Sequence, residues 1–374
     1  MTAAGRIRVL IVDDSAVMRS LLRSVLLSDP GLEVAGTAAD GASALECLRL
    51  QRPDLIVLDV EMPVMDGLVT LRELRARNHT MPVIMCSSLA QRGARVTIEA
   101  LASGASDYVA KPSGQAGRES AIRALAQELI PKIRALTGHL QARSAAAAVP
   151  RTVLPMPPAP APHVPAKPLV LAIGVSTGGP AALDVLLPEL PAGFPLPVLI
   201  VQHMPEVFTR LLAERLSRRC GLRVSEAAEG TPATAGCIYI ARGNWHMEAL
   251  AAVRPGAPAT IHLTQDPPEN HCRPAVDTLF RSTARVYGSG VLAVVLTGMG
   301  YDGLAGSRII REQGGSVLAQ DQATSTVWGM PGAVAQAGLA YKVLPLTAMA
   351  PEILRVAGHV AAPAEVRSFA RMVV

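Results

Sequence analysis

Leu169-Val170-Leu171-Ala172-Ile173-Gly174-Val175-Ser176-Thr177-Gly178-Gly179-Pro180 decides how the second half of the chain folds. Five apolar residues lead into a serine set between glycines, and Ala181–Leu187 then has helical spacing. A serine at a strand-to-helix turn has its hydroxyl held out as a nucleophile. Flanking glycines tolerate the tight backbone and let a substrate come close. The first turn of the following helix offers free N–H groups to negative charge. The stretch therefore predicts an α/β domain carrying a serine hydrolase site. The Gly-x-Ser-x-Gly match is weak alone, and there is neither a Gly-x-Gly-x-x-Gly spacing nor a Walker lysine to make it a nucleotide loop.

Outward from this turn the same alternation recurs. Val198–Val201, Cys237–Ile240 and Val291–Leu296 read as further strands. Pro180–Leu187, Phe208–Arg218, Val276–Arg285 and Asp302–Glu312 read as helices, and Ala259–Thr264 as an antiparallel addition. A nucleophilic serine needs a base and a group to orient it. Of eight histidines, His203 in Gln202-His203-Met204-Pro205 is best placed, because it too follows an apolar run. His246 is its main competitor. The carboxylate should also follow a strand, and Val291–Leu296 leads into Thr297-Gly298-Met299-Gly300-Tyr301-Asp302-Gly303. Asp302 sits where a helix begins, so it could equally be an N-cap. Backbone N–H groups near Thr177 or Met299 are the candidates for an oxyanion hole. The order Ser176, His203, Asp302 differs from the serine, acid, histidine order of α/β-hydrolases.

The first half alternates as well. Arg8–Val12, Glu33–Ala38, Leu55–Leu58, Pro82–Cys86 and Asp107–Val109 read as strands. Val17–Leu27, Gly41–Leu50, Gly67–Arg77, Arg92–Ser103 and Glu119–Leu136 read as helices. Short apolar strands between helices imply a parallel sheet covered on both faces, with its site at the carboxyl ends of the strands. Those ends carry Asp13-Asp14, Asp59, Ser87-Ser88 and Lys111-Pro112. Converging loops would bring three carboxylates, a hydroxyl and an ammonium together. Clustered carboxylates need a cation between them, and hard Mg²⁺ suits oxygen ligands. One carboxylate could then attack phosphorus while the metal and lysine neutralise phosphoryl oxygens. The chain has only four lysines, so one at this point is less easily surface filler.

Between the two halves, roughly Ala145 to Pro168 is Ala and Pro with few charges, which suits a semi-stiff tether and neither helix nor central strand. The expected division is 6–136, a tether over 137–167, and 168–362. Composition limits the alternatives. Half the residues are hydrophobic but aromatics are only 3%, so the cores are aliphatic. The net charge of +5 is spread thinly, with no basic stripe interleaved with aromatics, which argues against nucleic-acid binding. A helix-turn-helix DNA-binding module is likewise a poor fit to some 200 residues of α/β pattern with glycine loops. The five cysteines form no CxxC pair, so neither a disulfide framework nor a zinc site is signalled. No apolar run reaches the roughly 18 residues of a membrane span, and Asp13-Asp14 interrupts any signal-peptide pattern. A cytoplasmic protein, with no membrane insertion, is expected.

Two resemblances follow from these residues. Val12-Asp13-Asp14, Leu58-Asp59-Val60-Glu61-Met62-Pro63, Asp66-Gly67, Ser87 and Lys111-Pro112 resemble the receiver domain of two-component response regulators. The resemblance implies a flavodoxin-like fold and Asp59 as phosphoacceptor. It also implies Mg²⁺ held by Asp13, Asp14 and Asp59 with the Glu61 backbone carbonyl, phosphoryl contacts from Ser87 and Lys111, and Tyr108 at the aromatic switch position. Gly174–Pro180, Gln202–Pro205, Arg273-Pro274-Ala275-Val276-Asp277 and Leu296–Gly303 resemble the bacterial chemotaxis protein-glutamate methylesterases, with the same receiver-then-hydrolase order. That implies a Rossmann-like hydrolase domain with Ser176 as nucleophile, His203 as base, Asp302 as acid, and Thr177 and Met299 lining the site. It implies cleavage of glutamate γ-methyl esters on methyl-accepting chemotaxis receptors with release of methanol, and deamidation of selected glutamines. No cofactor is implied for that hydrolysis. A chemotaxis histidine kinase would be the phosphodonor, and the unphosphorylated receiver would block the active site. One departure stands out: members often have a histidine just before the arginine of the Arg-Pro segment, and here Cys272 occupies that place, beside His271.

Overall fold

The computed structural model describes residues 6–88, 90–112, 117–146, 166–254 and 256–358, the last eight of the third stretch for their backbone only. The first domain runs β1(Ile7–Val12), α1(Ala16–Leu27), β2(Leu32–Ala38), α2(Gly41–Leu50), β3(Leu55–Asp59), α3(Gly67–Ala76), β4(Val83–Ser87), α4(Gln91–Ala102), β5(Asp107–Ala110) and α5(Arg118–Ala146). Three helices start where a side chain accepts a free N–H of the first turn: Ser15 from Met18, Asp40 from Ser43 and Asp66 from Val69. The five strands are parallel in the order β2-β1-β3-β4-β5, so the chain reverses its direction across the sheet beside β1. That reversal opens a crevice at the carboxyl ends of β1 and β3, where Asp13 and Asp59 lie.

The second domain runs β6(Val170–Val175), α6(Gly179–Leu186), β7(Val198–Gln202), α7(Glu206–Ser217), β8(Arg223–Glu226), β9(Cys237–Ile240), β10(His246–Leu250), β11(Thr260–Thr264), α8(Val276–Tyr287), β12(Val291–Val295), α9(Leu304–Glu312), β13(Ser316–Gln320), α10(Met330–Gln336), β14(Lys342–Leu344) and α11(Leu346–Val356). Seven strands form one parallel sheet, β14-β13-β12-β6-β7-β9-β8. The switch point falls between β12 and β6, at the centre. β6, β7, β12 and β13 are buried along their whole length, and the first three read as continuous apolar runs for that reason. β10 and β11 form a separate antiparallel hairpin, so the expected antiparallel addition is present with a partner the sequence did not suggest.

The two domains share core. Tyr108 on β5 stacks on Phe208 of α7 with ring centroids 4.4 Å apart, and both belong to one continuous cluster of buried apolar side chains. α5 departs from expectation. It continues through Pro131 to Ala146 instead of ending at Leu136. The proline removes the hydrogen bond to the carbonyl of Gln127, a residue on the exposed side of the helix. Residues 137–146 of the expected tether are therefore helical. Its residues 147–165, and residues 359–362 of the expected second unit, lie outside the described residues.

Candidate active site and phosphoacceptor pocket

Register brings the hydrolase residues together. β6 pairs with β7 so that Val175 lies opposite Gln202, and the next residue of each strand is Ser176 and His203. The His203 N–H donates to the Val175 carbonyl at 3.2 Å, and the Ser176 N–H to the Thr297 carbonyl at 3.0 Å. The serine turn needs its glycines. Gly178 has φ +80°, and a Cβ there would sit 2.4 Å from Thr326 Oγ1. A Cβ on Gly298 would lie 2.8 Å from Ser176 Cβ, so the glycine-rich loop after β12 is what allows it to close over the serine.

Asp302 is 3% exposed and its Oδ2 lies 2.8 Å from His203 Nε2. It caps a helix, but a neighbouring one: it accepts the N–H groups of Val276 (2.7 Å) and Asp277 (3.0 Å) at the start of α8. Gly303 N–H and Asn270 Nδ2 complete its shell at 3.0 and 2.9 Å. Burial alone would raise its pKa, but the His203 bond and the α8 N–H groups hold it down to about 2. An ionised Asp302 accepts only, so His203 donates from Nε2. Burial would lower the pKa of His203, yet Asp302 and the Cys272 sulfur carry it up to about 9. The remaining ring nitrogen, Nδ1, lies 3.6 Å from Cys272 Sγ, so neither ring hydrogen bond is with Ser176. His246 is not a competitor. It is 1% exposed on β10, with Nδ1 accepting the Ala275 N–H and Nε2 against the Pro267 carbonyl, at 3.2 Å each.

Ser176, His203, Met299 and Asp302 line a cavity of about 750 Å³, and its other wall is the first domain: Leu101, Asp107, Tyr108 and Lys132. Met299 is 37% exposed at the rim. Thr177 is buried and its hydroxyl donates to Asp107 Oδ2 at 2.7 Å, across the domain boundary. Asp107 is itself held by Lys132, whose Nζ lies 3.5 Å from Oδ1, 2.5 Å from the Tyr108 carbonyl and 5.0 Å from the Tyr108 ring. A larger cleft, about 1020 Å³, opens between the domains at His79, Ser106, Gln322 and Trp328, away from this chemistry.

In the first domain, carboxylate oxygens of Asp13, Asp14 and Asp59 all lie within 4.8 Å of one another; Asp13 and Asp59 are buried, Asp14 exposed. Lys111 Nζ sits 2.9 Å from Asp13 and 2.8 Å from Asp59, yet Oδ2 of each carboxylate is buried without a well-directed hydrogen bond. Those under-satisfied oxygens, in an all-oxygen donor set, fit a hard divalent cation. Burial and the neighbouring Asp13 push Asp59 up to about 6, against the pull of Lys111. Ser87 and Glu61 line the same pocket. Tyr108 is 6% exposed and faces Phe208. Sequence reasoning did not single out Asn270 as part of the hydrolase site, nor the roles of Asp277 and Gln202. Gln202 Nε2 donates to the carbonyls of Ser176 (3.0 Å) and His203 (3.3 Å), a link that only the strand register reveals.

Two family models match the chain: the response regulator receiver domain over residues 9–123, and CheB methylesterase over 171–353. A protein-glutamate methylesterase/protein-glutamine glutaminase of Trichodesmium erythraeum is 48% identical over 357 residues, covering 94% of this chain and 99% of the relative. One of the same name from a Nocardioides species is 49% identical over 354 residues, covering 93% and 95%. The crystal structure of the Thermotoga maritima CheB methylesterase catalytic domain is 39% identical, with TM-score 0.49, over 51% of this chain and 100% of that one. No helix among the described residues is long and apolar enough to cross a membrane. With full-length relatives aligned across nearly the whole chain and both domains matched in order, the protein belongs to the CheB methylesterase family, in the form that carries a response regulator receiver domain ahead of its hydrolase domain.

Proposed function

We propose that this chain is a phosphorylation-activated serine hydrolase that removes methyl esters from glutamate side chains of methyl-accepting chemotaxis receptors, and deamidates selected glutamines. The observation that carries the reading is the adjacency of Ser176 and His203 at registered strand ends, with His203 bonded to a buried, ionised Asp302. Nε2 is committed to Asp302, so Nδ1 is the nitrogen that takes the serine proton. Ser176 Oγ attacks the γ-carbonyl, and the proton held at Nδ1 passes to the departing methoxide as methanol, or to the leaving nitrogen of an amide as ammonia. Water, deprotonated at Nδ1, then cleaves the γ-glutamyl ester of Ser176 and returns glutamate. N–H groups near Thr177 or Met299 would serve the oxyanion.

The regulatory reading rests on the cavity wall. In this arrangement the receiver roofs the hydrolase site, and Asp107 holds the hydroxyl of the residue after the nucleophile. Phosphorylation of Asp59 by a histidine kinase would release that roof, with Tyr108 relaying the change through its stack on Phe208. Asp13, Asp14 and Asp59, with the Glu61 carbonyl, would hold Mg²⁺, which neutralises phosphoryl oxygens during transfer. Lys111 and Ser87, which line the same pocket, would contact the phosphoryl group. The proposed division is a receiver over 6–136, extended by the helical residues 137–146, and a hydrolase unit over 168–362. Incubating the chain with a methylated receptor and measuring methanol tests the activity: the parent releases methanol, and Ser176→Ala does not. Equal release by both would refute it.

A further inference from the structure

The hydrolase site contains a second buried carboxyl that the reaction does not use. Asp277 is 2% exposed, and its Oδ1 accepts the Gly306 N–H at 2.6 Å. Its other oxygen faces Asn270, whose Nδ2 lies 3.0 Å from Asp277 Oδ2 and 2.9 Å from Asp302 Oδ1. One amide nitrogen, with its two hydrogens, thus spans both acids. Apart from His203, Asn270 is the side chain that donates to Asp302 among the described residues; the other donors are backbone. Asn270 has φ +51°, a left-handed conformation that asparagine tolerates better than most residues, and it sits in the loop that also carries Cys272 to His203.

We propose that Asn270 is a positioning residue of the hydrolase: its amide clamps Asp302 Oδ1 to Asp277 and so leaves Oδ2 aimed at His203. The proposal rests on the triad reading above. Two buried carboxylates with nothing between them would repel, and the cheaper response is for one to turn or take a proton. Burial pushes Asp277 up to about 6, so it is the acid that gives way while Asp302 stays charged. The groups facing the pair are His203 from the end of β7, Glu269 with its partner Arg281, and the α8 N–H groups. Removing the amide leaves Asp302, His203 apart, to the backbone N–H groups alone, facing Asp277 with no donor between them, and an error of an ångström in the His203 contact is enough to lower turnover about 10²-fold.

The test uses the full chain, assayed by methanol release from a methylated receptor under one fixed phosphorylating condition. Asn270→Gly removes the amide while suiting the left-handed backbone. It is expected to lower kcat about 10²-fold with KM little changed. The exchange Asn270→Asp with Asp277→Asn restores a carboxylate–amide pair between 270 and 277 but turns a carboxylate toward Asp302. It is expected to recover the melting temperature lost in Asn270→Asp without recovering kcat. If Asn270→Gly keeps the parental kcat, or if the exchange recovers kcat together with the melting temperature, the amide merely ties the loop to α8 and the proposal is overturned. Asp302→Asn separates the two readings: should it retain the parental rate, the triad itself fails.

Discussion

The acidic pocket of the receiver and the hydrolase site are built alike and tuned oppositely. Each lies at the carboxyl ends of a parallel sheet, at its switch point, and each buries carboxylates against a cation-forming side chain. In the hydrolase, His203 and the α8 N–H groups hold the pKa of Asp302 down to about 2 against burial, and Asn270 adds a further donor to the same carboxylate. In the receiver, Asp59 has Lys111 but also Asp13 beside it and an oxygen without a directed hydrogen bond, and its pKa rises to about 6. Burial raises both carboxyls; what differs is whether the protein supplies donors. A fully supplied acid is a fixed element of a catalytic array. On the proposed reading, an under-supplied one is left for groups arriving from outside, a cation and a phosphoryl group.

The largest expected loss is at the serine. Ser176→Ala should lower turnover about 10⁶-fold, and Asp302→Asn about 10⁴-fold, measured as methanol release. A smaller loss at Asp302 would mean that the internally satisfied acid is a helix cap and no more. Asp59→Asn should abolish stimulation by a phosphodonor while leaving the unstimulated rate in place. Stimulation that survives the change would put the receiver's chemistry elsewhere.

Smaller effects sharpen it. Asp107→Asn weakens a charge-assisted bond to Thr177, worth about 2 kcal/mol, so the unphosphorylated chain should gain up to about thirty-fold in rate. No gain would mean that the roof blocks by bulk alone. The pH dependence has a definite sign. His203 is a base only when neutral, and its pKa is about 9 with the receiver docked, so the unstimulated rate should climb with pH up to that value. The stability terms run in opposite directions. The raised His203 contributes fully below the ordinary histidine value of 6.5, and its contribution disappears as pH rises through about 9. The lowered Asp302 contributes above 3.8 and is lost as pH falls through about 2. Thermal melts across these windows check both.

The receiver strands and the ends that carry Asp13, Asp59, Ser87 and Lys111 were legible because each buried strand is a short apolar run that stops at its functional residue. The hydrolase was legible at β6, β7 and β12 for the same reason. β13 and β14 were not. Ser316–Gln320 ends in a glutamine that is buried because its Oε1 accepts the Thr297 N–H, and Lys342–Leu344 is a three-residue edge. The end of α5 was misplaced because alanines around 137–146 read equally as tether or helix. Asp302 was suspected of capping the helix that follows it, but it caps α8, which starts twenty-six residues earlier in the chain, a contact no local pattern carries. Cys272 and Asn270 reach the site through left-handed backbone at 270 and 271, which decides where their side chains arrive.

The central claim is that Ser176 is an activated nucleophile roofed by the receiver. A fluorophosphonate probe that reacts with activated serines, followed by mass spectrometry of the full chain before and after phosphorylation of Asp59, tests both parts together. The account predicts modification of Ser176, slow before phosphorylation and faster after it. Modification of another residue, or a Ser176 rate indifferent to phosphorylation, would contradict it.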